Sequence, residues 1–190
     1  MPDSASIRRA RPADAAAIAA VHAATWRSAY PGLLPAAYLA HLSEARLAAY
    51  YRRLLAERGG GMAMFVAVAR GDSAAATGPV VGFSGCGHAR HPRLAEGEID
   101  TLYVLDDWRE RGLGRRLLRA AGTHLAAVGC GSAMLWVLSD NPSRWFYQHL
   151  GGRAAAWDTT SVAGQGFRRT AMVWDPIGLL LSATAAADGA

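Results

Sequence analysis

The sequence predicts an α/β protein, in which a central sheet carries helices on both faces. Short apolar segments of strand length alternate with longer segments in which apolar residues recur at helical spacing. The 190 residues fit one domain, and 52% hydrophobic residues suffice for a full core. We expect one domain at 1–175 and a loosely packed tail at 176–190, where small residues dominate.

The first half of the chain predicts three strands and two helices. A strand at 6–11 precedes a first helix with one apolar face. A second helix at 43–58 runs from a capping serine to three consecutive glycines. Apolar strands follow at 62–70 and 80–89. Glycines at 82–87 lie within the last strand instead of opening a helix, so they predict a close-packed or bulged strand.

The second half of the chain alternates strands and helices before ending in a strand pair. Periodicity and turn residues set the bounds of each element. The predicted elements are a strand at 98–104, a helix at 112–128, a strand at 132–138, a helix at 142–150, and strands at 153–162 and 167–174. This order predicts a sheet covered by helices on both faces.

The charge of the chain does not predict a nucleic-acid partner. The net charge is +5, but all 20 basic residues are arginines and they are spread along the chain. Such a distribution is typical of a compositional bias, and the phosphates of a bound cofactor would use several of these arginines. An arginine-rich RNA-binding protein is therefore the disfavoured alternative.

The cysteines and histidines predict no metal site. Cys86 and Cys130 lack the spacing of metal ligands and are expected to be free thiols in a reducing cytoplasm. His88 and His91 form a pair without further ligands. No signal peptide is recognisable, and no apolar run reaches the roughly 18 residues of a membrane helix. We therefore predict a cytoplasmic protein without a membrane partner.

The most informative segment is a strand at 98–104 followed by a turn and helix at 109–118. Gly112 and Gly114 open the helix, where backbone N–H groups and the helix dipole favour an anion. Four arginines add charge suited to phosphate; they are Arg109, Arg111, Arg115 and Arg116. The segment predicts a pyrophosphate-binding turn beside a strand that carries two carboxylates.

The pattern Arg-x-x-Gly-x-Gly, directly after a strand that ends in Leu-Tyr-Val, resembles the acetyl-CoA-binding motif of the GNAT family of N-acetyltransferases. Residues 141–152 resemble the family's Asn…Phe-Tyr…Leu-Gly helix, and residues 7–14 resemble its first strand and helix start. The resemblance spans about residues 5 to 175. It implies a mixed, splayed sheet and an acyltransferase that uses acetyl-CoA as co-substrate.

The resemblance also implies which residues contact the donor. They are Leu102, Tyr103, Val104, Arg109, Glu110, Arg111, Gly112, Leu113, Gly114, Arg115 and Asn141. Asn141 is the only asparagine in the chain, and it also suits a helix cap before Pro142. Two features depart from the family pattern. Asn141 and Tyr147 are one residue closer than expected, and Glu110, which we expect to point outward, replaces a common glycine.

Three residues are predicted to carry the chemistry. Glu98 and Asp100 share a strand face with Leu102 and Val104, so their carboxylates can point into one cleft. By resemblance Glu98 matches the position of a general base, with Asp100 the second choice and Glu96 the third. Tyr147 matches the general acid. The alternative for each acid is an ion pair with a nearby arginine, and for Tyr147 a packed ring.

Aromatic residues on and after the first helix predict the acceptor site. Trp26, Tyr30 and Tyr38 occupy a region that commonly walls the acceptor site in this family. We expect a small-molecule or peptide amine with an apolar or aromatic body, not a polycation. The oligomeric state stays open between a monomer and a homodimer. The alternative function is a catalytically idle domain that binds acyl-CoA as a sensor or interaction module.

Overall fold

The computed structural model of the chain describes residues 5–57, 59, 61–70 and 77–185. The strands are β1 (Ala5–Arg9), β2 (Ala63–Arg70), β3 (Thr77–His88), β4 (Gly97–Val104), β5 (Ala133–Leu138), β6 (Arg153–Val162) and β7 (Gln165–Trp174). The helices are α1 (Ala15–Ala29), α2 (Ala36–Ala40), α3 (Glu44–Ala56), α4 (Leu113–Ala127), α5 (Ser143–His149) and α6 (Gly178–Thr184). The predicted α/β class and most of the predicted elements are confirmed.

The strands form one sheet in the order β1-β2-β3-β4-β5-β7-β6. Every neighbouring pair is antiparallel except β4 and β5, which run parallel and pair only at two positions, Gly97 with Ala133 and Glu98 with Met134. Beyond Glu98 the two strands separate. The sheet is therefore mixed and splayed, and the gap between β4 and β5 positions the site described below.

Helices cover both faces of the sheet. On one face α1 and α3 pack over β2, β3 and β4 around Ile18, Tyr51 and Phe83, which are fully buried. On the other face α4 places Leu118 and Leu125 against the core between β3, β4 and β5. None of the described helices is long and apolar enough to cross a membrane.

The prediction of a loosely packed tail after residue 175 is wrong for its first part. Residues 178–184 form α6, whose Leu180 is fully buried in the main core. Gly122 of α4 has no side chain, so Leu180 and Leu181 can approach that helix closely. Leucine-rich α6 is thus part of the domain, while residues 186–190 of the predicted tail lie outside the described residues.

Candidate active site

A cleft of about 560 Å³ opens where β4 and β5 separate. One wall comes from α1 and the loop after it, and the other from the β4–α4 turn, α5 and the β6–β7 hairpin. Most of the residues predicted from sequence line this cleft. They are Trp26, Tyr30, Glu98, Asp100, Leu102, Tyr103, Val104, Arg109, Glu110, Gly112, Leu113, Gly114, Arg115, Asn141 and Tyr147.

Four other candidates lie outside the lining of the cleft. Arg111 and Arg116 lie in a groove beside α4, where the guanidinium carbon of Arg111 is 5.0 Å from the centre of the Trp108 ring and Arg116 donates to the carbonyl of Ala5 at 3.1 Å. Tyr38 packs against Trp26, with the ring centres 6.1 Å apart, so it supports the wall formed by α1 without lining the cleft. The carboxylate of Glu96 accepts a hydrogen bond of 2.6 Å from the backbone N–H of Gly131.

The start of α4 forms a cradle for an anion. Gly112 caps the helix with φ of 74°, a left-handed conformation that favours glycine, and a Cβ there would meet nothing within 4 Å. The first N–H groups of α4 lack helical partners and carry the positive end of the dipole. The buried Nε–H of Arg115 has no hydrogen-bond partner among the described residues. These free donors fit a diphosphate.

The turn that precedes the cradle is held by Arg109. Its Nε donates to the carbonyl of Val104 at 3.5 Å, and its guanidinium pairs with Asp106 at 2.9 Å. Glu110 follows with φ of 59°, a left-handed conformation that is uncommon outside glycine. Its side chain is exposed, as expected, although it still borders the cleft.

The edge of β4 that faces the cleft carries backbone groups without a neighbouring strand. Because β4 pairs with β5 only at Gly97 and Glu98, the stretch from Asp100 to Val104 makes no ladder bonds to β5. An extended ligand that contains amide groups can pair with such an edge. The predicted contacts of residues 102–104 are thus available mainly through their backbone.

Asn141 and Tyr147 lie at opposite ends of α5. The Oδ1 atom of Asn141 accepts a hydrogen bond of 2.8 Å from the backbone N–H of Ser143, so Asn141 caps the helix as its sequence position indicates. Its side chain also lies near the hydroxyl of Tyr30, so the start of α5 is close to the wall formed by α1 and the loop after it. Tyr147 is buried, and this burial, followed by the nearby Tyr30, raises its pKa, so the hydroxyl retains its proton.

A β-bulge in β4 sets the direction of the two acids. Gly85 of β3 pairs with Thr101 and Cys86 pairs with Ile99, which leaves Asp100 as an extra residue between them. A Cβ on Gly85 would collide with the Asp100 carboxylate. The predicted close-packed or bulged strand at 82–87 is therefore confirmed, and its glycine makes room for an acid.

Because of the bulge, Glu98 and Asp100 lie on the opposite face of the sheet from the predicted one. Ile99 packs on the α4 side of the sheet, together with Leu102 and Val104. The prediction that the two acids share a face with Leu102 and Val104 is therefore wrong. A slip of one residue moves side chains to the other face of a strand, so both acids lie on the α1–α3 face.

Glu98 is buried and bound by Arg90. Its carboxylate accepts hydrogen bonds from the backbone N–H of Arg90 at 3.1 Å and from its Nε at 3.2 Å, and it forms an ion pair with the same guanidinium. Burial acts to raise the pKa of Glu98, but the hydrogen bonds from Arg90 outweigh it and hold the pKa below its usual value. Glu98 is thus a paired carboxylate.

Asp100 lies two residues further along the same strand, with its side chain exposed to the cleft and without an arginine on its carboxylate among the described residues. The hydroxyl of Thr101 donates to its Oδ1 at 3.2 Å. The walls of the cleft desolvate the carboxylate and raise its pKa, against smaller opposing effects from Thr101 and Arg90. A carboxylate with a raised pKa in a cleft is suited to accept a proton.

Aromatic rings in tilted and edge-on contact line the α1 side of the cleft, where the acceptor site was predicted. The Trp26 ring lies between those of Tyr30, at 5.0 Å, and Tyr103, at 6.4 Å. Beneath them His22 shares a hydrogen bond of 2.7 Å with the Tyr51 hydroxyl. Burial lowers the pKa of His22 to about 4, so the ring is neutral at physiological pH.

Several lining residues were missed by the sequence analysis, among them two arginines and a tryptophan. Arg90, Trp136 and Arg169 all face the cleft on the side of Asp100. They come from the loop after β3, from β5 and from β7, and each sits in a segment with no motif of its own. Their only sequence signal is the strand alternation at 136 and 169, which predicts a face but not a partner.

No metal centre accompanies the cleft within the described residues, which contain no group of three or more His, Cys, Asp or Glu side chains placed to hold an ion. Cys86 and Cys130 are both free and buried. Burial raises the pKa of Cys86 to about 12, so the thiol is a poor nucleophile.

Comparison with known proteins matches this chain to one family. The Acetyltransferase (GNAT) family profile matches residues 23–151. The uncharacterized N-acetyltransferase YuaI of Bacillus subtilis is 28% identical over 92% of this chain and 95% of its own length. The probable N-acetyltransferase Rv2775 of Mycobacterium tuberculosis is 30% identical over 84% and 88%. The structure of YncA from Salmonella typhimurium with acetyl-CoA shares 23% identity, with a TM-score of 0.59 over 91% of this chain and 94% of that one. The chain therefore belongs to the GNAT family of acetyltransferases.

Proposed function

We propose that this chain transfers the acetyl group of acetyl-CoA to a primary amine by direct attack, with both substrates bound in the cleft. The observation that supports the proposal most strongly is that one cleft has two chemically different ends. One end holds the anion cradle at Gly112, and the other holds Asp100, an acid without an arginine on its carboxylate among the described residues. An acyl donor and an amine acceptor need these two ends.

The cradle fits acetyl-CoA because its hydrogen-bond donors have no acceptors among the described residues. The N–H groups at the start of α4 and the buried Nε–H of Arg115 are available to phosphate oxygens. When bound, acetyl-CoA supplies the thioester from which the acetyl group is transferred. The YncA structure, which contains acetyl-CoA, supports this choice of donor.

Asp100 is the proposed general base, in preference to Glu98. A free amine has a pKa of about 10.4, so it is almost fully protonated at neutral pH and must lose a proton before attack. The carboxylate of Glu98 is already paired with Arg90, whereas Asp100 has a raised pKa and a free approach from the cleft. Asp100 therefore receives the ammonium proton, directly or through a water molecule.

Tyr147 is the proposed general acid. As the amine nitrogen bonds to the acetyl carbon, the carbon–sulfur bond breaks and the sulfur needs a proton. Tyr147 lines the cleft with its hydroxyl kept protonated by burial. The same burial raises the pKa of a thiol, so the thiolate that leaves beside Tyr147 is a stronger base than in water.

The test compares Asp100→Asn with Glu98→Gln. We expect Asp100→Asn to lower kcat/KM at pH 7 by about 10²-fold, and the loss to shrink as the pH approaches the pKa of the amine. Glu98→Gln is expected to keep the parent pH–rate profile and to lose stability, because a buried group loses charged hydrogen bonds. The reverse pattern would assign the base to Glu98.

A panel of amines distinguishes this enzyme from an acyl-CoA sensor. Thermal stabilisation by acetyl-CoA together with release of free thiol on addition of an amine supports acetyl transfer. Stabilisation without turnover of any amine would instead favour the sensor.

A further inference from the structure

The acceptor side of the cleft contains an arginine stacked on a tryptophan. Trp136 of β5 pairs with Ala171 of β7, and Leu138 pairs with Arg169, so the two long side chains lie one step apart on one face. The guanidinium carbon of Arg169 is 4.3 Å from the centre of the Trp136 ring. Stacking on the ring fixes the plane of the guanidinium and the direction of its N–H groups.

Each of these side chains has a buried N–H group without an acceptor. The Nε of Arg169 and the Nε1 of Trp136 have no hydrogen-bond partner among the described residues. A buried donor left unpaired costs about 1–3 kcal/mol, so two of them on adjacent side chains need an explanation. Both side chains line the cleft, so a ligand bound there could supply the missing acceptors.

The chemistry of the two donors restricts what that ligand group can be. Guanidinium and indole N–H groups donate only, so the group must accept hydrogen bonds. Asp158 of β6 binds the terminal nitrogen of Arg169 at 2.9 Å from the solvent side, where about half of its side chain is exposed, and it does not reach Nε. A planar, positively charged fork with one side left free is suited to an oxyanion.

The distribution of charge in the cleft indicates where the amine and the oxyanion of an acceptor would each bind. Asp100, on the neighbouring strand, is the carboxylate that remains for an ammonium group, because Glu98 is bound by Arg90. Arg90 is paired with Glu98 and Arg169 with Asp158, so Asp100 offers the one lining carboxylate at this end without an arginine partner among the described residues, which suits a single ammonium group better than a polycation. One end of an acceptor therefore meets an acid, and another part meets two N–H donors.

From this juxtaposition we infer that the acceptor is a small amine that also carries an oxyanion, either a carboxylate or a phosphonate, which Arg169 and Trp136 bind. The inference rests on the proposed acetyl transfer and names the class of its substrate. Peptide N-termini and polyamines lack the anion near the amine and fit this site poorly.

The first experiment measures kcat/KM for matched acceptors on several carbon skeletons, both α- and ω-amino. Each set contains the amino acid, its aminophosphonate, its carboxamide and the decarboxylated amine, with rates corrected to the same fraction of neutral amine. We expect the oxyanion members to exceed the others at least tenfold, and their ratio identifies the anion. Equal rates, or a preference for the uncharged members, would overturn the inference while leaving acetyl transfer intact.

The second experiment uses a matched pair of arginine variants. Arg169→Met should raise KM for the oxyanion acceptor at least tenfold, leave kcat within about threefold, and abolish the preference within each set. Trp136→Phe should also raise KM for the oxyanion acceptor and reduce the preference within each set, but less than Arg169→Met does. Arg168→Met is the control, because exposed Arg168 stacks 4.6 Å above Trp157 and does not line the cleft. Identical behaviour of Arg169→Met and Arg168→Met would overturn the inference.

Binding of a non-reactive acid separates the two proposals. A carboxylic acid that lacks the amine should bind the CoA-loaded protein, and Arg169→Met should abolish that binding in calorimetry. Such binding without acetylation of any amine would refute the proposed function and keep the oxyanion site. Acetylation without such binding would refute the oxyanion site.

Discussion

The half of the cleft that we propose for the acetyl donor and the half that we propose for the amine acceptor are built differently. The donor half is largely one continuous segment, residues 102–115, in which strand edge, turn and helix start present backbone groups. The acceptor half is built from side chains on α1, β4, β5 and β7, which are far apart in the sequence. A backbone cradle suits a ligand that stays the same, while side chains can change with the acceptor.

The halves also differ in how they respond to pH. In the donor half, the proposed contacts to the ligand are helix N–H groups and arginine side chains. None of these groups changes its charge between pH 4 and pH 8. The acceptor half contains Asp100, whose pKa is raised, and rests on His22, whose pKa is lowered to about 4. Acid should therefore affect the acceptor half first.

We expect the largest effect from Tyr147→Phe, because the proposed role of its hydroxyl is at the point where the two halves of the cleft meet. The ring keeps its packing against Trp174, at 6.4 Å between centres, so the fold and donor binding should survive. We expect kcat to fall by about 10²-fold while the Kd for acetyl-CoA stays within twofold.

The control for this variant is Tyr50→Phe, which removes a hydroxyl from an exposed tyrosine on α3. It should leave both constants unchanged. Full turnover in Tyr147→Phe would mean that the leaving thiolate takes its proton from solvent and that the two halves share no acid.

The stability of the acceptor half should depend on pH through His22. Because the folded pKa is depressed, the unfolded chain binds the proton more strongly, and stability is lost as the pH falls from about 6.5 toward about 4. At pH 5 the loss should be about 2 kcal/mol relative to pH 7. Urea unfolding at both pH values measures it.

Two variants isolate the contribution of His22 from that of other groups. Asp100, with its raised pKa, acts in the opposite direction, because protonation of the folded state stabilises it as the pH falls. His22→Gln should therefore remove the loss between pH 7 and pH 5, whereas His41→Gln, at an exposed position, should retain it. An unchanged loss in His22→Gln would assign the pH dependence to other residues.

Sequence predicts the donor half well because its information is local. A strand, two glycines and a helix within one segment define the cradle, and Asn141 and Tyr147 are located by one further helix. Arg111 and Arg116 are the exceptions, because they lie in the groove beside α4. Along the turn, which of several arginines faces the cleft depends on packing against Trp108, a contact that spacing alone does not give.

The acceptor half is predicted only in part because its geometry depends on register. Strand alternation gives the faces of Glu98 and Asp100 correctly only when no residue is inserted, and the bulge opposite Gly85 inserts one. The buried pairing of Glu98 depends on Arg90, from the loop beyond β3. The contact between Arg169 and Trp136 depends on β7 pairing with β5, which periodicity does not define.

Gly112→Ala tests the backbone cradle of the donor half, because it alters no charged or polar side chain. An alanine at φ of 74° costs about 1–2 kcal/mol of stability and places a methyl group where the phosphates would lie. We expect binding of acetyl-CoA to weaken about tenfold, a difference of about 1.4 kcal/mol.

Gly129→Ala is the matched control at the other end of α4. Gly129 has φ of 96°, and a Cβ there would likewise meet nothing within 4 Å, so the strain is comparable. It should lose similar stability and bind acetyl-CoA normally in calorimetry. Equal affinities in the two variants would place the diphosphate away from the start of α4.

Glu110→Gln should have the smallest effect and tests the charge of the donor half. Glu110 is an exposed acid at the edge of the cradle, where its charge opposes that of the phosphates. At a separation of about 6 Å in water such a repulsion is about 0.7 kcal/mol, so the variant should bind acetyl-CoA about threefold more tightly at low salt. The gain should vanish near 1 M salt, where charges are screened beyond about 3 Å. Asp107→Asn removes an exposed acid three residues earlier, outside the cleft, and should change affinity little. If the two variants bind alike at every salt concentration, the phosphates do not pass Glu110, and the donor half is held by neutral backbone groups and Arg115 alone.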